Sequence, residues 1–294
     1  MTDAVGIDVG GSFVKAVRRA GSGAVEARRQ QPTPQSIQPL LELVEDMASG
    51  LGLGLPVGVG LAALVDHRRR TLVWGPHVPG EQVEIGHRLE QRLGVPVVVD
   101  NDANYAALAE SRQGAGVGKH SLIMLTLGTG IGMGIVVDGH VLRGRRHAGE
   151  VGHITVDPGG DECPCGRRGC WETKVSGRRI AADAVAVLGP GNGAVELVEA
   201  ARRGDSRAAS RLGDAADWLA RGVEALVLTL DPELVVVGGA AAAAGDLLLR
   251  PVRRRLDQTE GAGHRASTTV VAGILGSDAG AIGAAIAAAE ETDR

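Results

Sequence analysis

One pattern occurs twice along this chain and limits what it can fold into. An apolar run from Val5 to Val9 meets Gly10, Gly11 and Ser12 and turns into a second run from Phe13 to Val17. The same order returns at Ser121 to Leu127, Gly128 to Gly132 and Met133 to Val137. Short apolar runs bounded by glycine read as strands joined by a tight turn. The repeat predicts two related lobes, and a chain of 294 residues exceeds what one hydrophobic core usually organises. Between and after the hairpins, helical and strand periodicities alternate, which predicts an α/β class. Helices are expected from Ser36 to Met47, Val83 to Leu93, after Asp100, Ala181 to Val187, Ala194 to Ala201, Arg207 to Leu230, Gly245 to Leu256 and Asp278 to Ala289. Strands are expected at Val57 to Val65, Val97 to Asp100, Leu234 to Val237 and Thr268 to Val271, and Gly114, Gly116 and Gly118 read as a hinge or lobe boundary.

Composition removes several function classes. With 31 basic against 35 acidic residues and a net charge of -4, the chain has no long-range positive field to gather nucleic acid or an anionic membrane. It is 44% hydrophobic and 22% charged, an ordinary globular balance. No apolar run is long enough to span a bilayer, and Met1, Thr2 and Asp3 lack the basic-then-apolar order of a secretory leader, so a cytoplasmic location is expected. The three cysteines, Cys163, Cys165 and Cys170, are an odd number crowded into one segment, which argues against disulfide stapling.

Asp8 ends a strand just before Gly10, Gly11 and Ser12, with Lys15 beyond the turn, so a carboxylate faces a loop whose amides can approach a phosphate. Gly128-Thr129-Gly130-Ile131-Gly132 offers a second nest of amides with a hydroxyl. Two such loops suggest the two ends of a polyphosphate. Neither is a P-loop, because Gly118-Lys119-His120 lacks the following serine or threonine. Gly58-Val59-Gly60-Leu61-Ala62-Ala63 sits inside an apolar run without the helix that a dinucleotide fingerprint needs. Asp100-Asn101-Asp102-Ala103-Asn104 places a polar cluster where a strand ends and a helix begins, the usual ligand position of open α/β sheets. Asp102 there is either a helix cap or a general base.

His153, Cys163, Cys165 and Cys170 form four soft or borderline donors that can close a tetrahedral zinc site, with Pro164, Gly166 and Gly169 supplying turns. Four protein ligands leave no open position, so the ion is expected to be structural. Glu150 and Glu172 flank the set, and a metal clip would bring both carboxylates near one point, where they can accept hydrogen bonds from a polyol.

Taken together these residues resemble the ROK sugar kinases and repressors, within the larger actin, hexokinase and Hsp70 ATPase fold. The resemblance is carried by Asp8-Val9-Gly10-Gly11-Ser12 with Lys15, Asn101-Asp102-Ala103-Asn104, Leu127 to Gly132, Glu150-Val151-Gly152-His153, the cysteine set ending Gly169-Cys170-Trp171-Glu172, and Asp231-Pro232-Glu233 through Gly238-Gly239. It implies a two-lobed actin-like (ribonuclease H-like) fold with an interlobe cleft and a zinc-binding loop. The lobes implied are 1-113, completed by a C-terminal helix at 278-294, and 114-277, which carries the zinc loop and a dimer surface. The implied activity is ATP-dependent phosphorylation of a sugar hydroxyl with Asp102 as base. Asn101, Asp102, Glu150, His153 and Glu172 would hold the sugar. Asp8, Gly10, Gly11, Ser12, Lys15, Gly128, Thr129, Gly130, Gly238 and Gly239 would serve the nucleotide and its phosphates, with Asp8 near magnesium. A homodimer acting on a small sugar or polyol is implied as well, with neither nucleic acid nor membrane as partner.

Departures from the family pattern fall on the acceptor side. Ala62-Ala63 stands where an alanine-glycine or proline-glycine pair is usual, His77 stands where asparagine is usual, and Leu142 to Gly149 is one residue short and unusually basic beside the family's small-residue loop. Gly238-Gly239-Ala240 replaces a triple glycine. The simplest expectation is a glucokinase. The alternatives are a kinase for another sugar, an amino sugar or a sugar-like cyclitol, and a non-catalytic sugar-binding or regulatory member. The family's repressors carry an added N-terminal DNA-binding domain, for which no room is expected ahead of Asp8.

Overall fold

In the computed structural model, which describes residues 1–239, 244–260 and 268–294, the first unit is built on a sheet of alternating commitments. Strand β1 (Ala4–Val9) turns at Gly10 into β2 (Phe13–Arg19), and β3 (Val25–Pro32) extends the meander. Strands β4 (Val57–Leu61) and β7 (Val97–Asn101) join β1 in parallel, giving the order β3-β2-β1-β4-β7. Successive β1 side chains point to opposite faces. Val5, Ile7 and Val9 enter a core with Leu40, Leu41, Val44 and Met47 of α1 (Ile37–Leu51) and with Ile85 and Leu89 of α2 (Ile85–Leu93).

Ala4, Gly6 and Asp8 face the other way, toward α9 (Ala279–Thr292). A Cβ on Gly6 would strike the Ala281 carbonyl, and one on Gly58 would strike that of Ala284. The alanine-rich helix, whose composition favours helix strongly, therefore lies backbone to backbone on the sheet. Helix α3 (Asp102–Gln113) shares that face, with Tyr105, Leu108 and Ala109 buried against Ile282 and Ile286.

The apolar run expected as one strand from Val57 to Val65 is broken. Strand β4 ends at Leu61, and the chain re-forms as a hairpin of β5 (Leu64–Asp66) and β6 (Thr71–Trp74). The break falls where the parallel pairing ends, Leu61 being opposite Asn101.

A second sheet has the order β10-β9-β8-β11-β12. Its strands are β8 (Ser121–Leu127), β9 (Ile131–Val137), β10 (His140–Val141), β11 (Leu234–Gly238) and β12 (Thr269–Ala272). Strand β11 runs parallel to both β8 and β12. The chain divides into one compact unit of residues 1–117, 134–149 and 275–294 and another of 118–133 and 150–274. The second unit carries the short α4 (Glu172–Val175) and the helices α5 (Gly177–Leu188), α6 (Ala194–Arg202), α7 (Ser206–Leu230) and α8 (Asp246–Glu260). Asp205 caps α7 by accepting from the Arg207 and Ala208 amides. No described helix is long and apolar enough to cross a membrane.

Candidate active site and metal centre

The expected site residues fall into two groups, one on each unit. On the first, Asp8 sits at the end of β1 opposite Lys15 in the hairpin register. Its carboxylate is aimed at the start of α9, where a Cβ on Gly280 would lie 2.7 Å from Asp8 Oδ2. Asp8 Oδ1 is buried and has no hydrogen-bond partner among the described residues. Burial raises this carboxyl to about 6, partly offset by the Lys15 charge and reinforced by Asp278. An orphaned buried carboxylate oxygen beside a glycine turn fits a divalent cation, because a cation restores what desolvation removes. The turn is tethered: the Gly10 amide donates to the Phe13 carbonyl at 3.0 Å, and Thr33 donates through Oγ1 to the Gly10 carbonyl at 2.7 Å. Lys15 Nζ donates to the Ser277 carbonyl at 3.1 Å.

At the end of β7 the two adjacent polar residues divide their work. Asn101 is the N-cap of α3, its Oδ1 accepting the Ala103 amide at 2.9 Å and the Asn104 amide at 3.3 Å. Its Nδ2 donates to the Ala63 carbonyl at 3.2 Å. Asp102 is the first helical residue, with Oδ1 accepting the Ala103 amide at 2.9 Å. The capping role weighed for Asp102 thus belongs mainly to Asn101. Asparagine before a helix is a usual cap, so that signal was in the sequence.

Beneath them a buried carboxylate meets a partly exposed guanidinium, a pair with no local signature. Asp100 accepts from Arg143 Nε at 2.5 Å on one oxygen, and from Asn104 Nδ2 at 2.9 Å and the Asn101 amide at 2.8 Å on the other. His77 packs against the first glycine turn, where a Cβ on Gly11 would lie 2.8 Å from the His77 Cβ.

On the second unit the glycine turn, the cysteine loop and the end of β11 meet. The Gly177 amide donates to the Gly128 carbonyl at 2.7 Å, and a Cβ on Gly130 would strike the Glu172 carboxylate. Gly238 is in register with Thr126, and Gly239 has φ 83° with no room for a side chain against the Leu127 backbone. Both needs, a left-handed backbone and close approach, select glycine. Ala240 lies outside the described residues.

His153, Cys163, Cys165 and Cys170 place their ligand atoms within 4.8 Å of one another. Cys163 Sγ is 3.6 Å from His153 Nδ1, and Cys165 Sγ is 3.6 Å from Cys170 Sγ. Sulfurs about 2.3 Å from a tetrahedral zinc stand about 3.8 Å apart, and a sulfur and a nitrogen slightly less. The donor set fits zinc. Gly166 at φ 85° and Gly169 at φ 70° shape the loop, and the Gly169 carbonyl accepts the Val156 amide at 2.8 Å. Burial and then a hydrogen bond to Glu172 hold the Cys163 thiol well above its usual value. Cys165 falls to about 6: burial works against ionisation, but hydrogen bonds from Arg167, Cys163 and Cys170 outweigh it.

The loop also carries two carboxylates. Glu172 Oε1 is 3.0 Å from Cys163 Sγ, 3.9 Å from His153 Nδ1 and 3.8 Å from Arg178 Nη2. Glu150 Oε2 is 3.9 Å from His153 Nε2. With Nδ1 on the cysteine side, Nε2 is the nitrogen left facing Glu150, so one ring joins the metal set to the carboxylate side.

Residues 4–291 match the ROK family. The chain is 33% identical to a glucokinase of Streptomyces coelicolor over 97% of both chains. It is 34% identical to an N-acetylmannosamine kinase of Escherichia coli, covering 97% of this chain and 98% of that one. Among solved structures, a ROK family glucokinase from Streptomyces griseus in complex with glucose and AMPPNP superposes with a TM-score of 0.88 at 34% identity, covering 98% of this chain and 99% of that chain. The chain belongs to the ROK family, and its mixed α/β two-sheet architecture is the actin-like ROK kinase fold.

Proposed function

We propose that this chain, an ATP-dependent sugar kinase, phosphorylates a hydroxyl of a hexose, most simply glucose to glucose 6-phosphate, with Asp102 as general base. The observation that carries the reading is the division of labour at β7, where Asn101 makes the capping bonds and Asp102 opens the helix beside it. A carboxylate there can take the acceptor hydroxyl's proton as the new oxygen–phosphorus bond forms. Asn101, Asp102, Glu150, His153 and Glu172 would bind and orient the acceptor's hydroxyls.

Gly10, Gly11, Ser12, Lys15, Gly128, Thr129, Gly130, Gly238 and Gly239 would serve the nucleotide and its phosphates through backbone amides and small-residue approach. Asp8 would hold magnesium, which supplies charge neutralisation on the phosphates when bound. Zinc held by His153, Cys163, Cys165 and Cys170 would fix the His153 ring, leaving Nε2 for an acceptor hydroxyl.

A second reading, a kinase for an amino sugar or a cyclitol, is favoured by His77 against the Gly11 turn and by the N-acetylmannosamine kinase among the relatives. The test is ADP release with ATP across hexoses, amino sugars and cyclitols. A clear best acceptor fixes the substrate. No stimulation by any polyol would leave the non-catalytic sugar-binding reading in its place.

A further inference from the structure

The chain passes between its two units after Val117, Met133, Gly149 and Ile274. Two of those passages end on one side chain of the first unit. Glu110, in the last turn of α3, is fully buried, and no step above uses it. Its Oε2 accepts the Ala115 amide at 2.7 Å, just before the chain leaves, and its Oε1 accepts the Leu275 amide at 3.1 Å, where the chain returns. The Glu110 carbonyl takes the Gly114 amide at 3.1 Å and the Gly116 amide at 2.9 Å. A third passage rests on the same helix, since a Cβ on Gly134 would lie 2.3 Å from the Ala103 carbonyl. Helix α3 thus opens with Asp102 and, about two turns on, fastens the chain's exits.

The far ends of the two passages tied to Glu110 are fixed as well, within the second unit. The His120 amide donates to Glu233 Oε2 at 2.7 Å, and the Gly273 amide donates to the Val237 carbonyl at 2.9 Å. Between the anchors stand Val117, Gly118 and Lys119 in one passage and Ile274 in the other. All four are exposed, Val117 by 61% and Ile274 by 68% although both are apolar. Gly118 holds φ 81° with open space where a Cβ would be. Short unpacked spans between fixed points are where a chain changes φ and ψ most easily. Burying a carboxylate is costly, and at Glu110 that cost is offset by placing each oxygen on a different passage.

We propose that Glu110 is the fixed point of a two-span hinge, 117–119 and 274, and a positioning residue for phosphoryl transfer. This rests on the kinase reading above. Phosphoryl transfer depends on holding donor and acceptor in line and on excluding water, which closing motions accomplish, and the residues that absorb such a motion are few and lie at element ends. With both passages tied to one carboxylate, movement at either span is referred to the helix that carries Asp102.

Hydrogen exchange followed by mass spectrometry tests this in the parent, Glu110→Gln and Glu233→Ala, together with ADP-release kinetics on ATP and glucose, or N-acetylmannosamine where glucose is not turned over. In Glu110→Gln one oxygen becomes an amide nitrogen facing a backbone N–H, so exchange at the Ala115 or Leu275 amide should quicken at least about tenfold while the interior of β1 keeps its parental rate. In Glu233→Ala the quickening should fall at His120. Both variants should lower kcat and shift the KM for ATP, each by about threefold or more. A partly unfolded population lowers kcat alone, because the surviving molecules keep their KM. Parental kcat and KM in both variants, or unchanged exchange at both Ala115 and Leu275 in Glu110→Gln, would overturn the hinge. A kinetic change in Glu110→Gln alone would assign the effect to α3 and overturn it too. Should Glu110→Gln fail to fold, Glu233→Ala decides by its exchange at His120 and its kcat and KM. Absence of turnover by the parent on every acceptor would overturn the kinase reading, while the exchange rates would still decide whether Glu110 holds the two passages.

Discussion

Arg143 Nε lies 2.5 Å from Asp100 Oδ2, and the two are joined across the fold to the turn that bears Asn101 and Asp102. Asp100 is 3% exposed, so removing this partner leaves a buried carboxylate without its ion pair. Arg143→Met should destabilise the protein by about 2–3 kcal/mol, short of the full cost of a lone buried charge because Arg143 is partly exposed. Adding Asp100→Asn should recover part of that loss. Chemical denaturation of the two variants checks it, and an equal or greater loss in the double variant would mean that the pair is not the source.

Asp102→Asn should keep the fold and acceptor binding while lowering turnover by at least about 100-fold, the scale of a general base. Asn101→Ala should act differently. It removes cap bonds and the tether to Ala63, costing about 1 kcal/mol in stability. Denaturation and steady-state kinetics on both variants separate base from cap.

Burial raises the Asp8 carboxyl from 3.8 to about 6, so the folded protein holds this proton more tightly than the unfolded chain. The stabilisation from that proton is full below about pH 4 and is lost as pH rises through about 6. In metal-free protein Asp8→Asn should therefore raise stability by about 2–3 kcal/mol at neutral pH, with the gain vanishing near pH 4. Denaturation midpoints across that range measure it. With magnesium and ATP the same variant should lose turnover, since the asparagine no longer offers a carboxylate.

Elemental analysis should find one zinc per chain at the His153, Cys163, Cys165 and Cys170 set. Chelation should lower the melting temperature and abolish acceptor binding together, because Glu172 lies 3.0 Å from a ligand sulfur. Calorimetric titration of acceptor into chelated but folded protein decides this. Retained binding there would separate the metal from the acceptor site.

What the sequence disclosed and what it hid divide along physical lines. The glycine turns, the apolar strands on either side of them and the metal-donor spacing were legible because each is local, set by a few neighbouring residues. Strand β3 was not, since Val25–Pro32 is an exposed edge with charged residues and little apolar alternation. The break after Leu61 was hidden because an apolar run cannot say where its partner strand stops. Arg143 with Asp100, and His77 with Gly11, join residues distant in sequence and leave no trace in either segment alone.

Helix α9 completes the first unit's sheet although its residues follow nearly all others, and Thr2 Oγ1 donates to Asp293 Oδ1 at 2.6 Å. During synthesis on the ribosome, strands β1, β4 and β7 must then wait with only α3 on that face until α9 emerges. The second unit, whose described elements all precede Leu275, can close first. The order of maturation would run opposite to the order of translation, leaving Gly6, Gly58 and Asp8 as the face a nascent-chain chaperone would meet.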